Sequence, residues 1–391
     1  MLEKNIENLI KYIQKQDYKG YDPYDTLNSW FPFKIFGHLG QRVALQFQVR
    51  NPINIRSLLG IKKEYSAKGL ALILQAYSVL YRTEPSEELR KEMDFLFNWF
   101  LDNTVSGYEG NCWTVHYPLA WGGWKRPKED PSAVLAAVVA EGIFEYYIST
   151  KNEKAKEVII GITKFLTTHV PITINEFGKC YSYTTRKKEV VFNANMYVAE
   201  VFSKAYYLTN NDFFKTEALE CLNFNISYQE KDGRWVYRRN MDTGQVRNQI
   251  DFHQGFILNS LNEIIKYLDL KEEKYTNSLK SGLKYYQEKQ FTKEGMAYWR
   301  VPNLYPIDIH NQAVGIMMLS KLSHLSETAY KQATDILDWT NKNMYNKKKG
   351  FYYYQKRKLF TNKISYIRWG QAWMLLALVN YKYAKNSLDE K

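Results

Sequence analysis

The stretch Gln249-Ile250-Asp251-Phe252-His253-Gln254-Gly255-Phe256-Ile257-Leu258-Asn259-Ser260 has a near echo at Pro306-Ile307-Asp308-Ile309-His310-Asn311-Gln312-Ala313-Val314-Gly315-Ile316. Each reads Ile-Asp-apolar-His and then runs into an apolar helix. Each follows a short aromatic segment led by glycine: Gly233-Arg234-Trp235-Val236-Tyr237-Arg238 before the first, Gly295-Met296-Ala297-Tyr298-Trp299-Arg300 before the second. The two aspartates are 57 residues apart, and so are the two histidines. A fixed spacing of that size is the mark of a repeated supersecondary unit.

The same unit recurs on both sides. An outer, amphipathic helix is predicted at residues 1–16, 86–101, 153–168, 212–227, 272–289 and 327–343, from apolar residues at helical spacing. A helix that is apolar nearly all round, and therefore buried, is predicted at 66–81, 133–147, 193–207, 253–267, 310–322 and 369–383. Ser86 opens one outer helix with a capping pattern, and Pro131 is expected at the first position of the helix that follows it. Marking the buried helices near their starts, at Gly69, Ala133, Ala194, Gln254, Gln312 and Gln371, gives spacings of 64, 61, 60, 58 and 59 residues. The expected fold is all-α: six helical hairpins in one domain spanning 1–391, with short aromatic β segments in the loops. The last buried helix is as apolar as the central ones. An open solenoid usually needs a polar cap there, so closure into a ring is expected.

The hairpin count resembles the six-hairpin glycosidase-like superfamily, whose fold is an (α/α)6 toroid. Arg50-Asn51-Pro52-Ile53-Asn54-Ile55-Arg56-Ser57-Leu58-Leu59-Gly60, Gly110-Asn111-Cys112-Trp113, Ile250-Asp251-Phe252-His253 and Tyr305-Pro306-Ile307-Asp308-Ile309-His310 carry a closer resemblance. They are similar to a bacterial family of such toroids associated with surface-polysaccharide gene clusters. The segment after Cys112-Trp113 departs from that pattern and reads Thr114-Val115-His116-Tyr117. The resemblance implies carbohydrate chemistry without naming the reaction.

Bulk properties narrow the partners. The net charge is +13 over 391 residues, with 32 Tyr and 10 Trp. A positive balance suits an anionic partner, and aromatic residues suit sugar-stacking clefts as well as cores. The basic residues are scattered, with no run longer than Lys347-Lys348-Lys349 and no nucleic-acid-binding motif. An anionic oligo- or polysaccharide is the expected partner, and no nucleic acid. Cys112, Cys180 and Cys221 make neither a disulfide framework nor a zinc site. The charged start Met1-Leu2-Glu3-Lys4 has no signal-like apolar region, and no membrane span is expected. A cytoplasmic location follows as the expectation. Nothing in the spacing of His, Asp and Glu suggests a metal, and no cofactor fingerprint is present.

The loops that lead into the buried helices gather at one end of such a ring. They carry Trp113, Tyr117, Trp121, Trp124, Tyr183, Trp235, Tyr237, Tyr298, Trp299, Tyr353 and Tyr366. Packing between loops and a sugar-binding mouth both fit these aromatics. Asp251 and Asp308 start neighbouring buried helices, where an aspartate can cap the free backbone N–H groups. They could equally form a carboxylate pair: packed helices lie ~8–10 Å apart, and inverting glycosidases hold their carboxylates ~6.5–9.5 Å apart. The expected function is therefore a glycoside hydrolase acting on a uronate-containing glycan. His253 and His310 carry an alternative, a polysaccharide lyase or sugar epimerase with imidazole acid–base chemistry. Arg56, Arg238, Arg300, Arg368, Tyr117 and Tyr366 are the candidates to hold developing charge or deliver a proton, with Trp113, Trp235, Tyr237 and Trp299 as stacking surfaces. A third alternative is a non-catalytic glycan-binding protein of polysaccharide biosynthesis. The oligomeric state stays open.

Overall fold

The computed structural model describes residues 1–121 and 124–389. Its α-helices are α1 (Leu2–Lys15), α2 (Gly37–Arg50), α3 (Ala67–Thr83), α4 (Glu87–Asp102), α5 (Ala133–Thr150), α6 (Glu153–His169), α7 (Phe192–Thr209), α8 (Asp212–Ser227), α9 (His253–Tyr267), α10 (Glu273–Lys289), α11 (Ile309–Lys321), α12 (Ala329–Met344) and α13 (Ala372–Asp389). The inner helices α3, α5, α7, α9, α11 and α13 pack side by side, and α13 returns to α3. The outer helices α4, α6, α8, α10 and α12 back onto them, and α1 takes the remaining outer place against α13. The chain has the (α/α)6 toroid fold of the six-hairpin glycosidase-like proteins.

Local chemistry decides which end of the ring is tight. Inner helix α5 ends on Lys151 and α7 on Asn210, both left-handed, with φ of 57° and 58°. The next residues, Asn152 and Asn211, accept the N–H of Lys154 and Phe213 at 3.0 Å and start the outer helices. A left-handed stop followed directly by an Asn cap makes a hairpin almost without a loop. All the long connections are left at the other end. At the tight end Ser86 also caps an outer helix, α4 (3.1 Å to the Leu89 N–H). At the long-loop end Ser132 caps α5 (3.3 Å to the Leu135 N–H), which leaves Pro131 just outside the helix instead of at its first position. Helix α5 is long and apolar enough to cross a membrane, yet it is an inner helix and largely buried.

Two repeated devices hold the long loops. The first is the leading glycine of each aromatic segment, which lies against the next outer helix. A Cβ on Gly178 would come within 2.2 Å of the Glu220 carbonyl oxygen on α8, and one on Gly350 within 2.9 Å of the Asn8 carbonyl oxygen on α1. The second contact joins the last loop to the first helix, beside the packing of α13 on α3 and α1 that closes the ring. The other device is a buried amide at the start of the inner helix that clasps the loop backbone. Gln254 accepts from the Trp235 N–H (2.9 Å) and donates to its carbonyl (2.6 Å). Gln371 does the same to Tyr352 (2.9 and 2.8 Å). Gln312 joins the Ala297 N–H, the Gly295 carbonyl and Thr340, and Asn195 takes the Tyr181 N–H at 2.9 Å. Each amide satisfies backbone groups that a loop cannot pair for itself. The β segments they hold are short, mostly two residues per strand.

The ring's axis is filled. Lys204 on α7 bonds Glu200 at 2.9 Å and is also paired with Glu141 on α5, while Lys321 on α11 reaches Glu263 on α9 at 3.2 Å. Ser260 donates to Glu200 at 2.7 Å. Burial, then the neighbouring Glu200 charge, drives the Glu141 carboxyl well above its ordinary range. These groups lie eight to twelve residues into the inner helices, roughly 12–18 Å below their starts at 1.5 Å per residue.

Candidate active site

The mouth is built where inner helices α9, α11 and α13 begin, under the segment that joins α1 to α3. Asp251 precedes α9 with its carboxylate turned back on the helix. One oxygen accepts the His253 N–H (3.2 Å) and lies 2.5 Å from His253 Nδ1. The other accepts from Gln249 (2.6 Å), with the Arg300 guanidinium 3.9 Å away. Burial alone would raise the Asp251 pKa; the His253 charge and these hydrogen bonds outweigh it and hold the carboxyl below its ordinary value. With Nδ1 engaged, His253 has Nε2 left for a substrate. This is how a carboxylate sets the tautomer and orientation of a reactive imidazole.

Asp308 is built differently. It caps α11 (2.9 Å to the His310 N–H) and also accepts from Gln355 (2.7 Å) and the Trp369 indole (2.9 Å). Burial pushes its pKa up to about 6. Both its oxygens are occupied by donors from the protein.

His310 is 1% exposed and set among aromatic rings: Phe252 at 4.4 Å, Trp369 at 4.6 Å and Trp373 at 4.8 Å between centroids. Neither of its ring nitrogens has a hydrogen-bond partner among the described residues. Burial, with the charges of Lys68 and Arg368 behind it, lowers its pKa well below the ordinary imidazole range, so the ring is neutral at neutral pH. Phe252 also stacks on His253 at 4.3 Å, so one aromatic ring joins the two imidazoles.

Cations surround this pair. Arg368 grips Asp22 with two nitrogens, one of them 2.8 Å from Oδ1. Arg56 bonds Asp25 at 2.7 Å and the Asp22 carbonyl at 2.8 Å, and lies over the Tyr366 ring. Tyr117 is buried beside Arg368 and Asp22, and burial raises its phenol well above the ordinary range. Lys68, on α3, places its ammonium over the Phe256 and Trp373 rings, 5.8 and 5.5 Å from their centroids. Among the described residues it has neither an ion-paired carboxylate nor a hydrogen-bond partner. Burial, then the Arg368 charge, lowers its pKa to about 7.

The structure thus brings together Asp251, His253, Asp308, His310, Arg368 and Arg300, with Arg56, Tyr117 and Tyr366 bracing the segment above them. Tyr237 meets His253 edge to face at 4.8 Å. Trp299 lies beneath the Arg300 guanidinium at 4.4 Å, and Arg238 is 3.5 Å from Glu189. Trp113 and Trp235 do not line the mouth. Both are 1% exposed, and their indole N–H groups donate to the Phe100 and Asn225 carbonyls (3.1 and 2.8 Å), so they belong to the core. The side chains of Trp121 and Trp124 fall outside the described residues. Sequence reasoning missed Asp22, Tyr24 (edge to face on Trp369 at 5.5 Å), Asp25 and Lys68. The signal for the first three was an Asp-Pro-Tyr-Asp cluster in an irregular segment, which has no periodicity to read. Lys68 reads in sequence as an ordinary charge on an apolar helix.

Solved structures of similar shape include carbohydrate enzymes. A cellobiose 2-epimerase from Bacillus thermoamylovorans matches with a TM-score of 0.66 at 15% identity, over 82% of this chain and 88% of its own. A D-mannose isomerase matches with a TM-score of 0.65 at 15% identity, over 98% and 97%. A GH76 α-mannanase from Bacteroides thetaiotaomicron matches with a TM-score of 0.64 at 16% identity, over 82% and 88%. At such identities the likeness is one of fold. No family model matches the sequence, and no curated protein does.

Proposed function

We propose that the protein is a carbohydrate-active enzyme that moves a proton next to the carbonyl of an open-chain sugar, as an isomerase or epimerase does. The observation that carries this reading is the Asp251–His253 dyad beside a neutral, unpartnered His310. In it His253 Nε2 takes the proton from the carbon next to the carbonyl, and Asp251 stabilises the imidazolium that forms. The electron pair moves into an enediolate whose negative charge faces His310, Lys68 and Arg368. A neutral imidazole is suited to donate a hydrogen bond to that oxygen, and pre-placed cations act where charge develops. Returning the proton to the former carbonyl carbon, while the hydroxyl proton of the neighbouring oxygen passes through His310 to the former carbonyl oxygen, gives the ketose; returning it to the opposite face of the carbon it came from gives the epimer. Because His310 is held neutral, one base and the ketose fit best. The named activities of the epimerase and isomerase of similar shape agree with this chemistry.

An acidic sugar is the proposed substrate class. Lys68 offers an uncommitted cation at the mouth, and the chain carries a net charge of +13.

The second reading, a glycoside hydrolase on a uronate-containing glycan, keeps one observation in its favour. Asp308 is raised to about 6 while Asp251 is lowered, the split that a general acid and its ionised partner need. Asp308 would have to release its three protein donors to act.

The deciding experiment is NMR in deuterated water with a panel of aldoses, uronic acids and uronate oligosaccharides. Solvent deuterium next to the carbonyl, together with a ketose or epimer, is expected, and loss of both in His253→Ala. New reducing ends that depend on Asp251 and Asp308, without deuterium incorporation, would replace the proposal with the hydrolase. Binding with no turnover anywhere on the panel would leave the non-catalytic glycan-binding role.

A further inference from the structure

Helix α2 lies outside the six-hairpin pattern and is built inside out. Its buried positions are Gln41, Ala44, Leu45 and Gln48. Its outward stripe is Leu39, Val43 and Phe47, at i, i+4 and i+8, and these are 70%, 60% and 61% exposed. Phe36, Ile35 and Trp30 just before the helix, and Ile53 and Leu58 just after it, are exposed as well. Scattered apolar residues on a surface need no explanation, but a contiguous patch marks a binding face. Nothing among the described residues covers this one.

Charge identifies the occupant. No aspartate or glutamate occurs between Asp25 and Glu64. The same interval carries Lys34, Arg42, Arg50, Lys62 and Lys63, all exposed. A symmetric dimer through this face would set these cations against their own copies, with no acidic residue in the segment to answer them. An anionic lipid surface offers both things the patch lacks: a hydrocarbon phase for Leu39, Val43 and Phe47, and headgroup charge for the basic residues. Apolar residues on one face with basic residues beside them define a helix that lies in the membrane interface, and long basic side chains can reach the headgroups from its edge.

We propose that α2, with the turns on either side of it, docks the protein on an anionic lipid bilayer. The same segment supplies Asp22 and Asp25 to the mouth, so docking holds the mouth beside the bilayer. The proposal is independent of the reaction assigned above.

The test uses the full chain and co-sedimentation with phosphatidylcholine vesicles that contain or lack phosphatidylglycerol. Binding is expected only with phosphatidylglycerol and should weaken as salt shortens the screening length. Leu39→Glu with Phe47→Glu should weaken it at least about tenfold, and Arg42→Gln with Arg50→Gln by a similar factor, since each basic residue near an anionic surface contributes on that scale. All four side chains are exposed, so the melting temperature of both variants should stay near that of the parent. The proposal is overturned if phosphatidylglycerol vesicles do not bind at low salt or if the Glu pair leaves binding intact. It is equally overturned if the patch instead mediates a dimer, seen in analytical ultracentrifugation and abolished by the Glu pair.

Discussion

Asp251 and His253 are joined twice: the carboxylate takes the His253 backbone N–H at 3.2 Å and lies 2.5 Å from the imidazole Nδ1. The first bond starts helix α9 and the second aims a ring. Asp251→Asn keeps an acceptor for the backbone but not the charge beside the imidazole. Turnover should fall by at least about 100-fold, in line with losses of general acid–base catalysis, while the melting temperature and KM change little. Steady-state kinetics with thermal unfolding on the same preparation check this.

The low pKa of Lys68 makes a signed pH prediction. The amine carries its charge below about pH 7 and loses it above. If it holds the carboxylate of an acidic sugar, KM should rise as pH passes upward through 7. Lys68→Met should raise KM at pH 6 and flatten that limb, with a smaller effect on a neutral sugar of the same configuration. A pH profile of kcat/KM on the two sugars separates the outcomes.

Asp308 ties pH to stability. Its folded pKa, raised by burial to about 6, exceeds the ordinary carboxyl value of 3.8. The folded chain therefore keeps a proton that the unfolded chain has already lost. The contribution is fully present below about pH 4 and is lost as pH rises through 6. A rise of that size corresponds to about 3 kcal/mol. Denaturation midpoints between pH 4 and 7 should fall on this account, and Asp308→Asn should remove that slope.

The axial charges should behave as a unit. Lys204→Met leaves Glu141 and Glu200 buried without their shared cation, and breaking a buried pair in this way costs about 3–5 kcal/mol. Adding Glu141→Gln and Glu200→Gln to Lys204→Met should restore much of the loss. Chemical denaturation of the single and triple variants measures it.

Each loop-clasping amide should also matter alone. Gln312→Ala strands the Ala297 N–H and the Gly295 carbonyl in the interior, at about 1–3 kcal/mol for each unsatisfied group. Local opening should appear first in hydrogen exchange of residues near 295–300.

The hairpins and their ring were legible because one physical need recurs in every unit. An apolar helix must be covered by an amphipathic one, and that writes a period of roughly 60 residues into the sequence. Closure was legible only indirectly, from the apolar last helix; the packing that makes it sets α13 against α3 and α1, with Gly350 lying against Asn8 beside it. The amide clasps were hidden in plain view. Gln254, Gln312 and Gln371 marked the repeat in the sequence, but a single Gln carries no sign that its partner is backbone some twenty residues earlier. Trp113 and Trp235 show the opposite limit, since an aromatic residue on a loop reads the same whether it faces a ligand or the core. The candidate site was half legible. The two Ile-Asp-apolar-His motifs located it, whereas Arg368 and Asp22 meet across 346 residues that no local pattern relates.

The charged groups packed along the axis turn the toroid from a sleeve into a cup. On the proposed reading a polymer could not be threaded through it, and only a chain end or a free sugar would reach His253. Whatever enters must leave through the same opening. Product and incoming substrate therefore exclude one another, and inhibition by product should be competitive.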